Sequence, residues 1–161
     1  MTGLLGVAVS GLLGVPALRF FSYPLRRETV HGGEEPIAVA DLARLPEGVP
    51  VRAIVVAPAR YDAWVRIDRV ALGAVWLLRR GSTVTAYSSV CPHAGCFVDF
   101  ADKKNCFQCP CHGSVFGLDG TVQDGPSPRP LDTLDVEVKD GKVLVRYQRF
   151  RQATSRKEAV G

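Results

Sequence analysis

All five cysteines and two of the three histidines of this 161-residue sequence fall between Cys91 and Pro130, in two short runs: CPHAGC at 91–96 and CFQCPCHGSVF at 106–116. Each run carries a Cys and a His at short spacing, Cys91-x-His93 and Cys109-x-x-His112, with fifteen residues between the two pairs. Two thiolates and two imidazoles on two loops are a donor set that suits a metal centre. Zinc is one candidate, because two Cys and two His make a closed tetrahedral site and Cys106-x-x-Cys109 has the spacing of a zinc knuckle. A Cys-x-His bite is unusual for a zinc finger, however. Zinc also leaves Cys96 and Cys111 unexplained, the first five residues after Cys91 and the second two after Cys109.

The two motifs resemble the paired loops of the Rieske iron–sulfur proteins, which read C-x-H and C-x-x-H and hold a 2Fe–2S cluster with two Cys on one iron and two His on the other. CPHAGC and CPCHGS are similar in particular to the loops of the membrane-anchored Rieske subunits of cytochrome bc-type complexes. The resemblance implies one 2Fe–2S cluster, with Cys91 and Cys109 on one iron and His93 and His112 on the other. It further implies a disulfide between Cys96 and Cys111 bracing the loops, and a proline loop over the cluster at Gly125, Pro126, Ser127 and Pro128. Cys106 is then left over as a small buried residue.

Imidazole in place of two thiolates removes negative charge and lifts the reduction potential into roughly −150 to +300 mV. Its second ring nitrogen can carry a proton. The resemblance therefore implies an electron-transfer subunit that takes an electron and a proton from a quinol at a partner cytochrome b, with His112 as the quinol-facing ligand and His93 beside it. The electron would pass to a c-type cytochrome within a dimeric, multi-subunit quinol:cytochrome c oxidoreductase. A Rieske subunit of another oxidoreductase, such as an arsenite oxidase-like complex, is the alternative. Ser114 stands where the family has a serine that bonds a bridging sulfur, and Phe116 stands where many members have a tyrosine that donates to a cysteine sulfur. Hydrogen bonds to sulfur raise the potential, so Phe116 predicts a lower potential and a menaquinol rather than a ubiquinol partner.

The elements that must position these residues are short strands. Val49–Ala57, Ala63–Ile67, Gly73–Arg79 and Thr83–Val90 are rich in Val, Ile, Trp, Thr and Tyr. Only 41–45 reads as briefly helical. Leu134, Val136 and Val138 alternate with charged residues, Asp140-Gly141 forms a type I′ turn, and Val143, Val145 and Tyr147 resume the alternation. The sequence shows no internal repeat and no low-complexity tract. The expected fold is all-β, a Rieske-type antiparallel β-sandwich over 37–150 with a small cluster-binding subdomain at about 88–130, and a polar, frayed tail at 151–161.

Before this domain the sequence changes character. Residues 1–18 carry no charge and are mostly Leu, Val, Gly and Ala. With Phe20 and Phe21 they predict one transmembrane anchor over 1–21, and 22–36, with Gly32-Gly33 and a solvated His31, predict a flexible tether. An oxidised Cys96–Cys111 pair implies the periplasmic side of a bacterial inner membrane. Arg19, Arg26 and Arg27 just beyond the helix argue for the opposite orientation by the positive-inside rule. With 20 basic and 16 acidic residues scattered along the chain, a net charge of +4 gives no reason to expect a nucleic-acid partner. No nucleophile–base arrangement or nucleotide loop stands out, so the chain reads as the redox part of a larger enzyme.

Overall fold

β-branched and aromatic residues in short runs give an antiparallel all-β architecture. The computed structural model describes residues 14–21, 35–62 and 65–160. The chain divides into two units, Met1–Val30 and His31–Gly161. In the first unit residues 14–21 are helical and exposed. Among the described residues no helix is long and apolar enough to cross a membrane. The expected anchor over 1–21 and tether over 22–36 lie for the most part outside the described residues.

The second unit begins with β1 (Ile37–Asp41), β2 (Val51–Asp62), β3 (Val65–Arg80) and β4 (Thr83–Ser88). It resumes after the Cys/His region with β9 (Thr133–Lys139) and β10 (Lys142–Arg146). These six form one sheet in the order β1-β10-β9-β4-β3-β2. The β4–β9 link is only two residues long, Ala86 with Leu134 and Tyr87 with Thr133. The sheet therefore folds there into two layers, and β1 packs back against β2. Val55, Val75, Leu77, Ala86, Val143 and Val145 fill the space between the layers.

Inserted between β4 and β9 is a four-stranded sheet of β5 (Asp99–Ala101), β6 (Cys106–Gln108), β7 (Val115–Phe116) and β8 (Val122–Asp124) in sequential order. The run Val75–Leu78 joins the two parts, because it is buried on both faces. Val75 and Leu77 enter the sandwich core, while Trp76 and Leu78 pack with Tyr87, Val98, Phe107, Phe116 and Leu131 beneath the small sheet. The Trp76 indole donates to the Val98 carbonyl at 3.1 Å, and its ring centroid lies 5.7 Å from that of Phe107. A buried indole with its N–H satisfied supplies apolar area without an orphaned donor.

The hairpin at 140–141 is as expected, with φ +50 at Asp140 and +73 at Gly141, the positive pair that a type I′ turn requires. The brief helix is a 3₁₀ turn at Leu42–Arg44. Two expectations need correction. The separate strands at 63–67 and 73–79 are one strand, β3, in which Gly73 is no break: the Tyr147 side chain occupies the space a Cβ there would need. The C-terminal residues are not frayed, since β11 (Arg149–Phe150) pairs with β12 (Ala159–Val160) and Phe150 is buried in the sandwich core.

Candidate metal centre

The two Cys/His runs fold into two loops held by the same pattern of backbone bonds. In the first, the Cys91 N–H donates to the Cys96 carbonyl at 2.8 Å and the Gly95 N–H to the Cys91 carbonyl at 3.0 Å. In the second, Cys109 N–H meets Ser114 carbonyl at 2.8 Å and Gly113 N–H meets Cys109 carbonyl at 3.1 Å. The flanks match as well, Val90 bridging to Phe97 and Gln108 to Val115. Each loop is thus a six-residue frame, Cys-Pro-x-x-Gly-x, and the glycines have φ +82 and +75, a backbone region that other residues enter at a cost. This short structural repeat went unread in the sequence, because the His and second Cys occupy different places in the two copies. The signal that could have found it is the shared Cys-Pro and the Gly three residues beyond the Pro.

The frames bring the expected site residues together. Cys91 and Cys109 are buried and not disulfide-bonded. Burial pushes the Cys91 thiol up from its ordinary range and the neighbouring Cys109 pushes it further, while the His93 N–H and the Ser114 hydroxyl pull the other way. The His93 and His112 rings lie edge to face with centroids 4.7 Å apart; His93 is half-buried and His112 exposed. Cys96 and Cys111 form a disulfide across the two loops with Cα atoms 6.5 Å apart. Their sulfurs and that of Cys109 lie within 4.8 Å of one another. Disulfide sulfurs are poor metal donors, so this trio is a brace packed on Cys109 and not a second ligand set.

Ser114 is fully buried, and its hydroxyl has no hydrogen-bond partner among the described residues. It stands near enough to the Cys91 sulfur to favour the thiolate without the geometry of a formed bond. Gly125 lies directly against this residue: a Cβ there would stand 2.6 Å from the Ser114 Cα and 2.8 Å from its N. Pro126 and Pro128 follow and are exposed, and the Ser127 hydroxyl between them donates to the Arg129 carbonyl at 2.8 Å. Phe116 is fully buried in the cluster of side chains that includes Cys91 and Cys109. Cys106 is buried in β6, opposite Ala101.

A group that the sequence reading did not single out sits behind the first loop. Arg129 and Asp132, 6% and 5% exposed, make a two-point ion pair at 2.9 and 2.8 Å. Arg129 spends its other donors on the carbonyls of Thr154, at 2.6 Å, and Arg151, at 2.8 Å. Its trace in the sequence is only an Arg and an Asp three apart.

A family model described as the Rieske [2Fe-2S] domain matches residues 36–135. The menaquinol:cytochrome c reductase iron–sulfur subunit of Geobacillus thermodenitrificans is 37% identical over 156 residues, 90% of this chain and 85% of that protein. The protein of the same name from Bacillus subtilis (strain 168) is 32% identical over 146 residues, 88% and 83% of the two chains. A chain of a hyperthermophilic respiratory Complex III shares the fold, with a TM-score of 0.51 at 21% identity, covering 88% of this chain and 98% of that one. With a family match over most of its length and relatives aligned nearly end to end, this chain belongs to the Rieske iron–sulfur family.

Proposed function

We propose that Cys91 and Cys109 hold one iron of a 2Fe–2S cluster and His93 and His112 the other. On this reading the chain is the electron-transfer subunit of a menaquinol:cytochrome c oxidoreductase, a redox part of a larger enzyme. The observation that carries the ligand assignment is the unpartnered hydroxyl of Ser114 beside two buried thiols and two facing imidazoles. A buried hydroxyl without a partner costs about 1–3 kcal/mol. A cluster sulfide would supply an acceptor there, whereas a lone zinc ion on the same four ligands would leave only the Cys91 sulfur. Two buried thiolates side by side likewise need a cation to offset their desolvation.

When bound, the cluster supplies a one-electron acceptor whose potential the two imidazoles raise. The chain's own residues do the rest. His112, exposed where His93 is half-buried, presents its free ring nitrogen to the quinol hydroxyl as a hydrogen-bond acceptor and takes the proton. The disulfide and the two loop frames keep the imidazoles in place, so little reorganisation accompanies the electron. The 125–128 stretch, seated on Ser114, keeps water from the buried thiols.

The near full-length similarity to two menaquinol:cytochrome c reductase subunits favours this reading over another Rieske oxidoreductase. The partners are then a cytochrome b with its quinol and a c-type cytochrome, in a dimeric complex. An anchor over 1–21 and a tether over 22–36 would let the domain move between them on the outer face of the cytoplasmic membrane. Menaquinol as the donor agrees with Phe116, which lacks the hydroxyl of a sulfur-bonding tyrosine; a Phe116→Tyr protein is expected to show a raised midpoint.

Low-temperature EPR of dithionite-reduced membranes, with and without a quinol-site inhibitor, tests the proposal. A rhombic signal of low average g, shifted by the inhibitor, is the expected result. The same signal without a shift refutes docking at a quinol site, and zinc in place of the signal refutes the cluster.

A further inference from the structure

The C-terminal segment 149–160 grips the first cluster loop at its most sensitive point. The Ala153 N–H donates to the Pro92 carbonyl at 2.8 Å, and Pro92 lies between Cys91 and His93. Ala153 reaches this position with φ +57, in the left-handed region that a non-glycine residue enters only when its surroundings force it. The adjacent Gln152 lays its stem against Gly95 of the same loop, with Cγ 3.6 Å from where a Cβ would stand. Arg129 sets the height of the segment by bonding the Arg151 and Thr154 carbonyls on either side of this contact, while Asp132 fixes Arg129. An open cleft of about 410 Å³ borders the loop, lined by Cys91, Pro92 and Gly95 together with Tyr147, Arg149 and Gln152. Where the loop borders this cleft, the strap holds it through the Ala153 N–H and the Gln152 stem.

We propose that the segment 149–160, anchored by Arg129, is a strap that orients the Pro92–His93 peptide and through it sets the reduction potential of the bound cluster. The inference rests on the ligand assignment proposed above. The carbonyl of that peptide takes the Ala153 N–H, and its own N–H faces the Cys91 sulfur. A hydrogen bond on the carbonyl polarises the peptide and strengthens its N–H as a donor. A stronger donor at a ligand sulfur favours the reduced cluster and raises the potential. Ala153 and Arg129 act through the peptide and are positioning residues.

The test is a redox titration of the full-length, cluster-loaded protein followed by EPR. An amide-to-ester replacement at Ala153 deletes this one donor and leaves every side chain in place. It is expected to raise the oxidised-to-reduced ratio at fixed poise threefold or more, a fall in midpoint of about 28 mV at 59 mV per decade. Arg129→Lys keeps the charge opposite Asp132 but cannot also bond two carbonyls, and covers the case in which the ester protein fails to assemble; its midpoint is expected to fall too. Ala153→Gly retains the N–H and is expected to leave the midpoint unchanged. A wild-type midpoint in the Arg129→Lys protein, or in an assembled ester protein, overturns the strap. Absence of the Rieske signal from the wild-type protein overturns the ligand assignment as well, so the two failures are distinguishable.

Discussion

Gly125 carries the contact between the 125–128 stretch and the second cluster loop, and Gly125→Ala measures how tight that contact is. The added methyl would stand 2.6 Å from the Ser114 Cα, 2.8 Å from the Ser114 N and 2.9 Å from the Gly113 O. All three are backbone atoms, so no rotamer change relieves them. Overpacking of this kind costs about 1–3 kcal/mol. The backbone at Gly125 has φ +88, which adds roughly 1–2 kcal/mol for an L-residue. The total, about 2–5 kcal/mol, is a large share of the 5–15 kcal/mol by which domains ordinarily exceed unfolding. Gly141→Ala separates the two contributions, because Gly141 has φ +73 and nothing within 4 Å of the added atom. Urea unfolding of the oxidised, cluster-loaded proteins, followed by far-ultraviolet circular dichroism and by visible absorbance, gives both numbers. Gly125→Ala should cost about 1–3 kcal/mol more than Gly141→Ala and should bleach the visible band at lower urea than the wild type. Equal costs for the two variants would refute the close seating of 125–128 on Ser114.

Ser114→Ala should lower the cluster midpoint by about 60–130 mV, the equivalent of a hydrogen bond to a charged acceptor worth 1.5–3 kcal/mol; an unchanged midpoint in the loaded protein refutes the role of its hydroxyl. The double variant Cys96→Ala/Cys111→Ala removes a cross-link between residues 15 apart, which chain-entropy arguments value at about 3 kcal/mol; urea unfolding without reductant checks this. Asp41 is held below its ordinary 3.8 first by the hydrogen bond and then by the charge of Lys142. A folded-state pKa below the unfolded one gives stability that is present above about pH 4 and lost as the pH falls through the lowered value. Lys142→Met should therefore flatten the dependence of unfolding free energy on pH below 4 and leave it unchanged between pH 5 and 7, as urea titrations across that range would show.

The parts of the fold that were legible in the sequence are those in which a residue type is the only chemical means to an end. Thiols and imidazoles have few substitutes as donors, so Cys91, His93, Cys109 and His112 stood out by type and spacing. Asp140-Gly141 stood out because both residues of a type I′ turn need positive φ. Gly73 misled for the converse reason: a glycine reads as a break, yet here it lies mid-strand to make room for a ring 74 residues away. The strap was illegible because its bonds run from the backbone at 151, 153 and 154, and backbone groups are the same at every position. The repeated loop frame was illegible for a related reason, since main-chain bonds define it and its two copies are filled differently.

That difference in filling explains how one frame used twice yields an asymmetric site. The first position is Cys in both loops, and the two thiols meet in the buried interior. The third position is His93 in one loop and Cys111 in the other, and the sixth is Cys96 in one and Ser114 in the other. The disulfide therefore joins the sixth position of the first loop to the third of the second, crossing the site where a symmetric bridge would have joined like to like. Ser114 leaves a single buried hydroxyl, on the second loop alone, where Gly125 seats the 125–128 stretch over it. The first loop carries the disulfide at its sixth position and borders a cleft, and its further support comes from outside the small sheet, through Ala153 and Arg129. Two loops of the same backbone are thus held by different parts of the chain, which lets the potential be tuned from the first without disturbing the hydroxyl on the second.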